Sequence, residues 1–140
     1  MRHWTNHVVR WVVGGLLYGW LEILYRGCTH WTMILLAALL CIPLDVANEY
    51  MPWEWPIWVQ GIVGGSVITA AEFVAGCVLN LWLGLGIWDY SALPGNLLGQ
   101  ICPQFWLIWC LLAMPVIVAF DWLCYLCDNA GHDRPHYKLI

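Results

Sequence analysis

The residues of this chain with chemistry to offer are a few acids, amides and hydroxyls set among apolar neighbours. Glu72 is the single charge between Ile57 and Trp88. Thr69, Glu72, Gly76 and Asn80 follow one another at i, i+3, i+7 and i+11, so on a helix their side chains share one stripe. A carboxylate between a hydroxyl and an amide on a small-residue face can bind a polar solute or pass a proton. Its ordinary alternative is a hydrogen bond that ties two helices together. Because an acid at membrane depth is costly and purely structural uses seldom require one, the functional reading is the stronger expectation. Glu22 and Arg26, one turn apart, continue the face begun by Gly15 and Gly19. They read either as part of a polar site or as an ion pair snorkelling at a helix end. A third group, Asp89, Asn96 and Gln100, sits in Trp88–Gln104, WDYSALPGNLLGQICPQ. A loop that only crossed water would not need its Trp, Tyr, Ile and paired Leu, and a segment that only crossed lipid would not carry its polar groups.

Two kinds of activity fit such residues. A polar pocket floored by Glu72 and Asn80 and capped by Asp89, Asn96 and Gln100 would bind a small solute or a lipid-like molecule. The same carboxylates could instead serve as general acid and base in an intramembrane enzyme. No nucleophile with an adjacent base is visible, so catalysis ranks below binding, and below a structural or interaction role without a substrate. Asp45 and Glu49, one turn apart near a helix end, are expected to be solvated. At the C-terminal end, Cys124-Tyr125-Leu126-Cys127 followed by His132 and His136 has the pairs of a zinc site. The four residues between the pairs are few against the roughly dozen usual in such sites. An apolar helix turn explains the cysteines, and neither a metal nor another cofactor is expected. His3, His7, His132 and His136 are read as tuning interfacial charge.

The elements that must position these groups follow from composition. With 62% hydrophobic residues, 10% charged and a mean hydropathy of +0.70, the 140-residue chain lies outside the range of soluble domains. It reads as an all-α polytopic membrane protein of a single domain, residues 1–140, with about four helices at roughly 20 residues per span. Their expected ranges are 8–25, 31–50 with a kink at Pro43, 57–82, and 104–127 with a kink at Pro115. Residues 88–103 form a loop or re-entrant segment, and 128–140 a tail. Leu93-Pro94-Gly95-Asn96 signals a turn, after which Leu97–Ile101 is predicted as a short helix capped by Asn96. If this uncharged stretch dips into the bilayer it must line a site, because irregular backbone at that depth is tolerated only within protein or beside water.

Of the twelve tryptophans, Trp4, Trp11, Trp31, Trp53, Trp55, Trp58, Trp88, Trp106 and Trp122 fall near block ends, as an interfacial belt would. Cys41, Cys77 and Cys110 lie within apolar blocks, which argues against a disulfide framework. The net charge of -4 is thinly spread and excludes a nucleic-acid stripe. Arg2, Arg10, Arg134 and Lys138 lie near the two ends against Arg26 alone in the connections, so both termini are expected in the cytoplasm. Few helices for a solute pathway suggest a homo-oligomer in the lipid bilayer, with Gly15/Gly19 and Gly61/Gly65 as candidate interfaces or as packing faces within one chain.

Several stretches carry a resemblance. Tyr18-Gly19-Trp20-Leu21-Glu22, Glu72-Phe73-Val74-Ala75-Gly76, and above all Trp88-Asp89-Tyr90-Ser91 followed by Pro94-Gly95-Asn96-Leu97-Leu98-Gly99-Gln100-Ile101-Cys102 resemble the bacterial family called putative ABC transporter type IV, or CmpB-like, permeases. The tail Arg134-Pro135-His136-Tyr137-Lys138-Leu139 is similar to that of a Firmicutes branch. Between the first two helices the chain departs from other members, with Arg26-Gly27-Cys28-Thr29-His30-Trp31 where they carry Asn-Arg-Gly and Pro-Ile-Tyr-Gly segments. The resemblance implies a transport subunit of the bacterial cytoplasmic membrane, and adds Trp88, Tyr90 and Ser91 to the candidate ligand-binding residues. No Gly-x4-Gly-Lys-Ser/Thr element occurs, so any ATP hydrolysis would belong to a separate ATPase subunit.

Overall fold

The computed structural model describes residues 2–127 and 134–138. Among them the chain is helical, with no strand: α1 Arg2–Arg26, α2 Trp31–Asp45, α3 Ala47–Tyr50, α4 Ile57–Gly76 continued by a π-helical segment Cys77–Trp82, and α5 Pro103–Cys127. Asn6–Arg26, Ile57–Trp82 and Pro103–Cys127 are long and apolar enough to cross a membrane, and Trp31–Asp45 is a shorter apolar helix. The protein is an all-α membrane protein, as its composition predicts. It divides into two compact units, Met1–Glu54 with Val116–Lys138, and Trp55–Pro115. The helix α5 gives its first half to the second unit and its last half to the first.

In the first unit α1 and α2 form a hairpin. Gly27, at φ 76°, turns the chain after α1 where a side chain would strain the backbone. His30 then caps α2, its Nδ1 accepting from the Thr32 backbone N–H at 3.4 Å. The helices meet closely because Gly15 has no side chain. A Cβ there would stand 2.6 Å from the Ile34 carbonyl oxygen and 2.7 Å from Ala38 Cβ, and one at Gly19 would meet Ile34. The helix expected over 31–50 is divided at Val46, and Pro43 stays inside α2. The short α3 is tied back by the Tyr50 hydroxyl, which donates to the Pro43 carbonyl at 2.5 Å. That carbonyl lies in the last turn of α2, where no intrahelical donor serves it. At 1.5 Å per residue the 15-residue α2 is about 22 Å long, short of a hydrocarbon core of about 30 Å. The segment 134–138 lies against this unit, with His136 stacked on Trp53 at 5.2 Å and the Tyr137 hydroxyl donating to Asp121.

In the second unit α4 packs on the first half of α5 through Gly61 and Gly65. A Cβ at Gly65 would stand 2.5 Å from the Cys110 backbone nitrogen, so only glycine admits this approach. The Gly15/Gly19 and Gly61/Gly65 faces are therefore filled by helices of the same chain. After Gly76 the hydrogen-bond ladder widens to a π-helix and stops at Leu83. Leu83 to Cys102 follow as irregular chain. The short helix predicted over Leu97–Ile101 is absent, since Leu98 (φ 53°), Gly95 (76°) and Gly99 (69°) adopt left-handed conformations that a right-handed helix excludes. Leu97 and Ile101 pair instead as an isolated antiparallel bridge around a tight turn.

Candidate functional site

Glu72 is the centre of the second unit. Its residue is 3% exposed, buried in mid-span on α4. The Tyr90 hydroxyl donates to one carboxylate oxygen at 3.0 Å, and the Trp109 indole N–H to the other at 2.8 Å. Tyr90 comes from the irregular segment and is stacked on Phe105 of α5, ring centroids 4.5 Å apart. Two elements besides α4 thus converge on one carboxylate. No Lys, Arg or His occurs between Trp55 and Pro115, so this unit holds two acids, Glu72 and Asp89, and no basic residue.

Two turns along the same stripe, Asn80 joins the helix to the irregular segment. Its Nδ2 donates to the Gln100 side-chain oxygen at 2.9 Å and to the Trp88 carbonyl at 3.1 Å, while its Oδ1 accepts from the Ile87 N–H at 2.7 Å. The Trp88 indole returns a bond to the Gln100 carbonyl at 3.0 Å, and both residues are buried. Thr69 bonds back to the Gly65 carbonyl one turn earlier, so its hydroxyl is committed to its own helix.

The outer residues of the segment shape the backbone. Asp89 is exposed, and its Oδ1 accepts from the Ser91 N–H at 2.8 Å, a bond that holds its carboxyl below the usual carboxylate range. Asn96 donates to the carbonyls of Ser91 and Leu93 and accepts from the Gly99 N–H. The structure therefore brings Glu72 together with Tyr90, and Asn80 with Trp88 and Gln100. Asp89, Ser91 and Asn96 brace the turn. Glu22 and Arg26 belong to the first unit, where Arg26 donates to Glu22 at 2.9 Å and the Thr29 hydroxyl to its other oxygen. Arg26 is about a third exposed and Glu22 almost fully buried.

At the opposite end of that hairpin Asp45 is not solvated: its side chain has no exposure. Arg10 Nε donates to its Oδ1 at 3.1 Å and the Trp11 indole to its Oδ2 at 2.8 Å, with His7 Nδ1 2.6 Å from the same Oδ2. Glu49 is exposed. In the cysteine and histidine group of the C-terminal end, His132 lies outside the described residues, Cys127 is exposed, and the His136 ring stacks on Trp53.

The model of the family described as Putative ABC-transporter type IV matches residues 3–129. The chain belongs to this family. No curated protein and no solved structure matches it. Within this member of the family, the Trp88–Ser91 element lies on the Glu72 and Asn80 network through Trp88 and Tyr90. Sequence reasoning missed Trp109 as a partner of Glu72. Trp106 and Trp109 sit on successive turns of α5, and Trp106 donates to Ser66 as Trp109 does to Glu72. Trp11, Trp88 and Trp106, all expected in an interfacial belt, also donate indole hydrogen bonds within the protein chain, that of Trp88 buried and that of Trp106 exposed.

Proposed function

We propose that the chain is a permease-like subunit of an ABC-type transport system, binding a small solute or lipid-like molecule at Glu72. The observation that carries this reading is a mid-span carboxylate held by two aromatic donors in a unit that contains no basic residue. A carboxylate so placed is matched by a cationic or proton-bearing ligand, because intramembrane acids normally pair and here the unit supplies only neutral donors. Tyr90 and Trp109 would orient the carboxylate, and Asn80, Trp88 and Gln100 would hold the irregular segment over it. The ligand would exchange places with the Tyr90 hydroxyl, the donor that comes from the segment free of regular structure. ATP hydrolysis would be the work of a separate subunit, the protein would lie in the bacterial cytoplasmic membrane with both termini inside, and more than one copy would form the pathway.

The test is purification of the tagged chain from its native membrane in mild detergent. A P-loop ATPase should accompany it in fixed proportion, and Glu72→Gln should leave that complex intact while abolishing stimulation of its ATPase by a membrane extract. A chain that purifies without an ATPase, or a Glu72→Gln variant that retains full stimulation, sinks the proposal. Loss of assembly in Glu72→Gln would favour the structural reading instead.

A further inference from the structure

We propose that the end of the α1–α2 hairpin remote from its turn is a transition-metal site, with His7, Asp45 and Cys124 as ligands. Three helices supply one donor each, and an imidazole nitrogen, a carboxylate oxygen and the thiol sulfur all lie within 4.8 Å of one another. The Asp45 side chain has no exposure and that of His7 is 16% exposed. A nitrogen, oxygen and sulfur set of this kind suits zinc or a neighbouring first-row metal, and does not suit calcium or magnesium, which take oxygen ligands.

A second observation points the same way. His7 Nδ1 lies 2.6 Å from Asp45 Oδ2 and also 2.6 Å from Arg10 Nη2. The first contact requires a proton on the nitrogen, and the second requires its lone pair. One nitrogen cannot supply both. A metal ion would reconcile His7 with Asp45: Nδ1, without a proton, and Oδ2 both turn their lone pairs to the ion, and the Arg10 Nη2 contact to Nδ1 gives way. Arg10 then keeps its bond from Nε to Oδ1, and the Trp11 indole continues to orient the carboxylate, as groups behind metal ligands commonly do. Binding releases the thiol proton of Cys124, whose thiolate with the Asp45 carboxylate balances a divalent ion. Three protein ligands leave a fourth position for water or an external donor.

The full-length protein, purified in detergent with a histidine-free tag, is to be titrated with Co²⁺ as a spectroscopic substitute and assayed for bound Zn²⁺. Stoichiometric metal and a thiolate-to-cobalt charge-transfer band are expected. The band should vanish in Cys124→Ser and persist in Cys127→Ser. Cys124→His should retain the metal without the band, which separates loss of a ligand from loss of fold. Absence of stoichiometric metal, a band lost with Cys127→Ser in place of Cys124→Ser, or metal retained at full affinity after His7→Ala would each overturn the site.

Discussion

At Glu72 the two donors differ in what their loss leaves behind. Tyr90→Phe and Trp109→Phe each remove one bond to a buried carboxyl, an effect of about 1.5–3 kcal/mol where the acceptor is charged. Thermal unfolding in detergent should fall for both, and their double variant should depart from additivity because they share one partner. Among the described residues of the first unit, the Glu22–Arg26 and Arg10–Asp45 ion pairs rank oppositely from what their sequence spacing suggests. Glu22–Arg26 has helical spacing visible in the sequence, yet Arg26 is partly exposed, and Arg26→Gln should cost about 1 kcal/mol or less. Arg10–Asp45 spans 35 positions and is buried, so Asp45→Asn should cost about 3–5 kcal/mol in the same melt. Sequence position near a helix end suggested solvation for Asp45. Nothing local revealed that the hairpin would bring Arg10 opposite. Asp89 gives a pH dependence: its folded pKa lies below the unfolded value, so its contribution is present above about pH 4 and is lost as pH falls further. Protection of the Ser91 amide, its exchange rate relative to the intrinsic rate at each pH, should therefore fall on acidification below about pH 4 in the native chain, and show no such step in Asp89→Asn.

At the scale of elements, the end of α4 is the feature that sets the site. A run of apolar residues to Trp88 is too long for one span, and the sequence shows that it must tilt, protrude or break. What it does not show is the means. Asn80 reads as one more polar residue of a stripe, whereas it holds the chain that follows the break through three hydrogen bonds. The stretch Leu97–Ile101 looks helical because Asn96 resembles a cap, and only the paired positive φ angles of Leu98 and Gly99 make it a tight turn. Gly99→Ala should strain that turn twice, by its φ of 69° and by a Cβ 2.7 Å from Asp89 Oδ1. A loss of about 1–3 kcal/mol is expected, read as a lower melting temperature. Gly65→Ala should cost a similar amount, about 1–3 kcal/mol, by forcing α4 off the Cys110 backbone. The small-residue faces were legible from their spacing. That they serve packing within the chain was not, because spacing identifies a close approach without naming the helix that makes it.

For the whole molecule, membrane character and helical class follow directly from hydropathy, since burial of backbone polar groups in lipid leaves few alternatives. The division into two units does not, because α5 is one uninterrupted apolar helix that serves both. The same division confines the basic residues: every Lys, Arg and His lies in the sequence of the first unit, and from Trp31 to Asn129 there is none. This gives the second unit a practical character. Trypsin has no bond to cut within it, amine-reactive labels and crosslinkers have no amine to find, and a routine tryptic digest would deliver it only as part of a long apolar fragment. Its thiols are the remaining handles. Cys102 and Cys110 are buried, so Cys77, half-buried at the start of the π-helical segment and five positions beyond Glu72, is the position through which this half of the protein can be tagged.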